Sequence, residues 1–286
     1  MAVDDADPAT AAADAFDVLS DPSRVAILRE LTDLTLAEPQ SSVEFAELRR
    51  AVGFEDAGRF NYHLGKLQDR FVVKRDGGYV PTAPGMKAIG SIASGTFTDD
   101  LPNKSGTVEY DCPACGDPME ATYDDQLLNV ECSSEDDVYV QTAVPPAAAK
   151  DATIEEIVSF VVGDVQRDLE CIADGVCPMC SGQMNVDGFE RGDDDHLTVE
   201  TSCGNCWMRT VMPVGVAALR HPAVVSLYYD HGVDVRRHFV TDFEFVGSME
   251  NAELVSDDPP AVELRVAVED DELTLRVDAD LAVREV

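Results

Sequence analysis

Lysine is scarce in this chain: 5 Lys and 16 Arg stand against 56 Asp plus Glu in 286 residues, for a formal net charge of −35. Such a balance excludes non-specific attraction to nucleic acid or to anionic membranes as the behaviour of the whole molecule. A carboxylate-rich, Lys-poor surface is the composition expected of a protein working in molar salt, a halophile. No apolar run approaches the ~18 residues of a membrane span. The first residues, Met1 to Pro8, are acidic where a secretion signal would be basic and then apolar. The expectation is a cytoplasmic protein with no membrane partner. Walker loops, dinucleotide fingerprints, H-E-x-x-H and nucleophile elbows are all missing, so no motif supports an enzyme. Cysteine is absent before Cys112.

What is present is a folding composition. Hydrophobic residues make up 45% of the chain, enough for a sizeable core, and the length sets a prior of about two domains. Six of the eight cysteines lie in C-x-x-C spacings, and in a reducing compartment that pattern points to metal rather than disulfides.

The charge is unevenly spread. Residues 1 to 95 carry 10 basic and 15 acidic side chains, net −5, which leaves 11 and 41, net −30, for the remainder. Within the first part, Ala57 to Arg75 contains Arg59, Lys66, Arg70, Lys74 and Arg75 against Asp69 alone.

That segment closes a recognisable order of elements. Ala9 to Leu19 is a helix that breaks at Ser20-Asp21-Pro22, where Asp21 caps a second helix and Pro22 fits its first turn. Val25, Ile27, Leu28 and Leu31 give the second helix its apolar face. Val43 to Val52 places Phe45, Leu48 and Val52 on one side, and Gly53 to Asp56 turns into a helix over Ala57 to Asp69. In that last helix Phe60, Leu64 and Leu67 face inward. Arg59, His63, Lys66 and Arg70 are thereby expected on the opposite side, flanked by Asn61 and Tyr62. Phe71 to Lys74, the turn Arg75-Asp76-Gly77-Gly78 and Tyr79 to Thr82 read as a hairpin, because a two-residue turn favours positive φ. Helix, turn, helix, hairpin is the order of a winged helix.

The runs Ala15 to Leu28, Phe60 to Leu67 and Tyr79 to Thr82 leading into Pro84-Gly85 resemble the ArsR-like winged-helix transcriptional regulators of halophilic archaea, over roughly the first 90 residues. The resemblance implies a homodimer that binds double-stranded DNA. Its recognition helix, Ala57 to Asp69 here, enters the major groove, and its wing, Arg75 to Tyr79, touches phosphates or the minor groove. The DNA contacts expected on this basis are Arg59, Asn61, Tyr62, His63, Lys66, Arg70, Lys74 and Arg75, whose donors suit base edges and phosphates. Metal-sensing members of that family carry cysteines in or beside these helices, and here there are none, which argues against metal-triggered release by that route.

Cys177-Pro178-Met179-Cys180 and Cys203-Gly204-Asn205-Cys206 have a complete zinc-ribbon spacing, able to set four thiolates in a tetrahedron around a structural Zn²⁺ with no position left for catalysis. Cys112, Cys115 and Cys132 form an incomplete earlier set. Met119 follows Cys115 as Met184 follows Cys180, and Tyr139 to Pro145 parallels Trp207 to Pro213 with Thr142 matching Thr210, so the segment reads as a duplication. Glu135 or Val138 falls at the missing fourth position, making the ligand a carboxylate or none. The first ribbon is therefore expected to bind zinc weakly or not at all. Cys171 reads as a packed or idle thiol, and His221, His231 and His238 as ordinary residues rather than ligands.

After the first ribbon, Thr153 and Glu156 form a capping box on a helix whose broad apolar face, from Ile154 to Ile172, packs on the ribbons or forms a dimer interface. A second helix spans Pro222 to His231. Met249 to Pro260 reads as a linker or long loop, and Val262 to Val277 as a C-terminal hairpin around Glu269 to Glu272.

The expected fold is thus α+β. A winged helix-turn-helix over 1–98 precedes an acidic zinc-ribbon domain over 105–286, made of a first ribbon (108–145), a helix (153–173), a second ribbon (175–214), and a helix with C-terminal strands (217–286). The expected function is sequence-specific DNA-binding transcriptional regulation. The alternative is an adaptor that uses both modules to contact transcription-machinery proteins. RNA binding by a ribbon is disfavoured by the −30 charge around it.

Overall fold

The computed structural model describes residues 7–38, 41–112, 115–134, 137–191, 197–247 and 251–286. The chain is mixed α+β, with antiparallel sheets of two, four, three and four strands. It divides into two compact units, Met1–Asp100 with Pro145–Ala147, and Leu101–Val144 with Ala148–Val286. The acidic run Asp193 to Asp195 and the candidate ligand Glu135 lie outside the described residues.

In the first unit, α1 (Pro8–Leu19) ends where Asp21 accepts the Ser23 N–H and starts α2 (Pro22–Ala37), with Pro22 in the first turn where its missing N–H costs nothing. Helix α3 (Phe45–Val52) ends on Gly53, whose φ of 80° suits a left-handed C-cap. Asp56 then accepts the Arg59 N–H to open α4 (Ala57–Leu67). Strands β1 (Val72–Arg75) and β2 (Gly78–Pro81) pair around Asp76 and Gly77, both at positive φ, as the two-residue turn requires. Helix α5 (Ala83–Ala93) follows, capped by Thr82. Ile27, Leu28, Leu31, Leu48, Phe60, Leu64, Leu67 and Val72 fill the core between these elements.

The expected helix over Ala57 to Asp69 ends two residues early. Gln68 is extended and Asp69 adopts φ 70°, which turns the chain into β1 while the Asp69 N–H bonds Val72 O. Arg70 is therefore off the helix, and its guanidinium donates to Ala11 O of α1.

The second unit holds two related sheets and a third. Strands β3 (Lys104–Asp111), β4 (Pro118–Asp124), β5 (Leu127–Cys132) and β6 (Asp137–Ala143) form a meander. After the short α6 (Pro146–Ala149), the capping box of Thr153 and Glu156 starts α7 (Ile154–Ala173). Ile157, Val158, Val161 and Val162 of α7 pack with the first sheet, while Ile172 joins the core of the following sheet. Core packing is thus what the apolar face of α7 does.

Strands β7 (Met184–Arg191), β8 (Leu197–Cys203) and β9 (Arg209–Pro213) form the second sheet. A 3-10 turn (Val214–Ala218), α8 (Pro222–Asp230) and the short α9 (Glu244–Gly247) lead to β10 (Ala252–Asp257), β11 (Pro260–Val268), β12 (Asp271–Asp278) and β13 (Val283–Glu285), in sequential antiparallel order. The expected linker over Met249 to Pro260 is corrected here. Ala252 to Asp257 pair with β11 as an edge strand, with a register shift between Leu254 and Ser256; inner and outer positions alternate along it, but Val255 takes an exposed position and Ser256 an inner one, so the residue types do not announce it.

Candidate functional sites

The cysteines of the second sheet meet. The Sγ atoms of Cys177, Cys180, Cys203 and Cys206 all lie within 4.8 Å of one another. Cys177 and Cys206 are 3.7 Å apart and Cys180 and Cys203 3.5 Å. A disulfide needs about 2.05 Å, whereas the edge of a tetrahedron with 2.3 Å bonds is about 3.8 Å. The four thiols could hold a metal ion, and their number and spacing are consistent with zinc.

Backbone donors support thiolates at these positions. Gly182, Asn205 and Met208 N–H groups point at Cys180, Cys203 and Cys206 respectively, at 3.4, 3.3 and 3.5 Å. The Asn205 side chain and the Gly182 N–H hold the Cys180 thiol down at about 6. At Cys206 the Met208 N–H favours the thiolate, but burial and the neighbouring thiols outweigh it and push the group up to about 12. Hydrogen bonds thus favour the thiolate at Cys180, while crowding by neighbouring thiols opposes it at Cys206, a repulsion that a bound cation would relieve.

The first cluster repeats the same turn. Cys112 N–H bonds Asp117 O and Gly116 N–H bonds Cys112 O; Cys177 N–H bonds Gly182 O and Ser181 N–H bonds Cys177 O, all at 2.8 Å. The fourth residue after each leading cysteine has positive φ, 78° at Gly116 and 57° at Ser181. Here Cys112, Cys115 and Cys132 come together and could also hold an ion, with Cys115 and Cys132 3.5 Å apart. The Tyr139 hydroxyl lies 3.1 Å from Cys112 Sγ, a neighbour that no spacing or motif announces. Val138, one of the two expected occupants of the fourth position, is exposed and offers no donor atom.

Strand register refines the internal match. Two residues before the second-sheet cysteine, Thr201 pairs with Thr210; two before Cys132, Val130 pairs with Val140. The counterpart of Thr210 is therefore Val140 and not Thr142, which pairs with Leu128 as Met212 pairs with Val199.

On α4 the structure brings Arg59, Asn61, Tyr62 and Lys66 to the surface, with Lys74 and Arg75 exposed on the adjoining hairpin. Arg59 lies 5.9 Å from the Phe54 ring centre, Lys66 5.8 Å from Tyr62 and Lys74 5.8 Å from Tyr79. Among the described residues none of these cations has a carboxylate within ion-pair reach, and every Lys or Arg ion pair lies in the second unit, as in Arg167–Asp164 and Arg236–Asp234. Arg49, which sequence reasoning passed over, donates to the carbonyls of Phe54 and Glu55 and fixes the turn between α3 and α4.

His63 departs from the expected stripe. It is 7% exposed, with its ring 5.9 Å from Phe54 and Nδ1 3.7 Å from Asp21. The turn before α4 and the start of α2 cover it, which a helical wheel does not register. His63 and Arg70 are therefore withdrawn from the exposed helix face.

Fold and thiol clusters together define a two-unit α+β protein with candidate thiolate metal centres. The chain belongs to the family described as Domain of unknown function (DUF7351), whose model matches residues 109–283. A second family model, Domain of unknown function (DUF7347), matches residues 12–92. No curated protein and no solved structure matches the chain. No helix among the described residues is long and apolar enough to cross a membrane.

Proposed function

We propose that the chain is a sequence-specific DNA-binding transcriptional regulator, acting as a homodimer through a winged helix in its first unit. One observation carries this reading. In a protein of net charge −35, the exposed cations of α4 and its hairpin have no carboxylate within ion-pair distance among the described residues, Arg59 feeling Asp56 only from farther off, while arginines of the acidic second unit are ion-paired. Arg59, Asn61, Tyr62 and Lys66 would read base edges, and Lys74 and Arg75 would hold phosphates.

Salt shapes the mechanism. At ~1 M salt the Debye length is about 3 Å, and long-range attraction to phosphate is largely lost. Selection then rests on short-range contacts from the helix. The second unit is held by structural Zn²⁺ on Cys177, Cys180, Cys203 and Cys206, and the first cluster binds zinc weakly or not at all.

The test is genome-wide occupancy of the tagged protein, followed by binding to the recovered sites in molar KCl. A few discrete promoters, and weaker binding by Arg59→Ala and Lys66→Ala, support the reading. Unchanged affinity in both variants rejects it. The adaptor reading is favoured by exposed Met179 and Trp207 beside the second thiol cluster, 60% and 78% accessible, and it predicts signal at most active promoters instead.

A further inference from the structure

A cavity of about 740 Å³ opens in the second unit where the end of α7, the start of β7, the turn before α8 and the β12–β13 connection meet. Its volume falls in the range of small-molecule sites. Ile172, Met184, Val186, Val216 and Leu281 supply an apolar wall.

Thr201 also lines this cavity. It is 1% exposed, and its Oγ1 has no hydrogen-bond partner. A buried hydroxyl without a partner costs about 1–3 kcal/mol, so its presence calls for a reason. Folding does not require it, because the corresponding position of the sister sheet is Val130, fully buried.

The charges around the opening are unbalanced. Glu170, Asp174, Asp280 and Arg220 line it. Arg220 is engaged with Glu170 at 3.5 Å and with Gln166 at 3.4 Å. His221 Nδ1 accepts the Ala223 N–H. Asp174 and Asp280 remain without a cation among the described residues, and both are exposed at the rim.

We propose that this cavity binds a small amphipathic organic cation, its ring or chain against the apolar wall, its ammonium between Asp174 and Asp280, and a polar atom on the Thr201 hydroxyl. The site is independent of whether the first unit binds DNA.

Calorimetric titration of the full-length, metal-replete chain with tryptamine, and with indole-3-propionate as its near-isosteric anion, tests this. Tryptamine should saturate one site per chain, and indole-3-propionate should bind at least about tenfold more weakly. The double variant Asp174→Asn/Asp280→Asn should lose about tenfold in tryptamine affinity and with it the preference for the cation. Thr201→Val should weaken tryptamine about threefold to tenfold, the worth of one hydrogen bond, while raising the melting temperature of the unliganded chain. Absence of saturable tryptamine binding, equal affinity for the anion, or wild-type affinity in both variants overturns the proposal.

Discussion

His63 Nδ1 stands 3.7 Å from Asp21 Oδ2, so the helix that carries the exposed cations leans on the cap of α2. His63 is thereby a packing residue of the first unit. His63→Ala should lower stability by about 1–3 kcal/mol, read as an earlier thermal transition, and should touch the proposed DNA binding only through α4 placement.

The Asp21 carboxyl has its own pH signature. Burial alone would raise it, but the Ser23 N–H and the nearby His63 outweigh burial and hold it below the ordinary carboxylate value. A depressed acid stabilises the fold fully above its unfolded value, about pH 4, and the contribution disappears as pH falls through the lower folded value. Asp21→Asn should therefore destabilise at neutral pH, and the gap to wild type should close in acid melts.

His231 works in the opposite sense. It caps α8 and touches Asp271 at 3.0 Å and Glu269 at 3.3 Å on the β11–β12 turn. The Asp271 hydrogen bond, together with Glu269, raises its pKa against a smaller burial effect. Stability from this contact is complete below the unfolded value of about 6.5 and is lost as pH climbs through the raised folded value. Melting curves of His231→Gln and wild type should differ near pH 6 and converge in alkaline buffer.

Metal removal should separate the two units. Elemental counting is expected to give one tightly held zinc per chain; two tightly held ions would refute a degenerate first cluster. Chelation at high thiol concentration, or Cys203→Ser, should melt the β7–β9 region while leaving helix α4 and its hairpin folded, a contrast that hydrogen exchange resolves segment by segment.

Lys104 is among the five lysines the chain retains. Its Nζ donates to the carbonyls of Ala149 and Ala152, the former at 2.5 Å. Charge-assisted bonds to partly buried carbonyls are worth about 1.5–3 kcal/mol, so Lys104→Met should lower the denaturation midpoint of the second unit.

Local chemistry carried much of the legible structure. Asp21-Pro22, Asp76-Gly77 and the Thr153/Glu156 box each encode a cap or turn within four residues, and each forms as the sequence indicates. The four-cysteine spacing was equally readable, because two short turns and one hairpin bring the thiols together. Long-range events were hidden. Phe54 and Asp21 cover His63 from other elements, and Arg70 leaves α4 because Asp69 takes positive φ. The edge strand from Ala252 to Asp257 alternates inner and outer positions, but with Val255 outside and Ser256 inside its residue types read as a linker. The Thr201 hydroxyl looked like any strand threonine until its burial was known.

The uneven pairing of charge has a consequence for dilution. With most of the negative charge beyond residue 95, self-repulsion in the second unit is restrained by counterions at high ionic strength. Transfer to dilute buffer withdraws that restraint from one unit far more than from the other. Desalting should therefore expand the carboxylate-rich half first, leaving one chain in two different states of completeness.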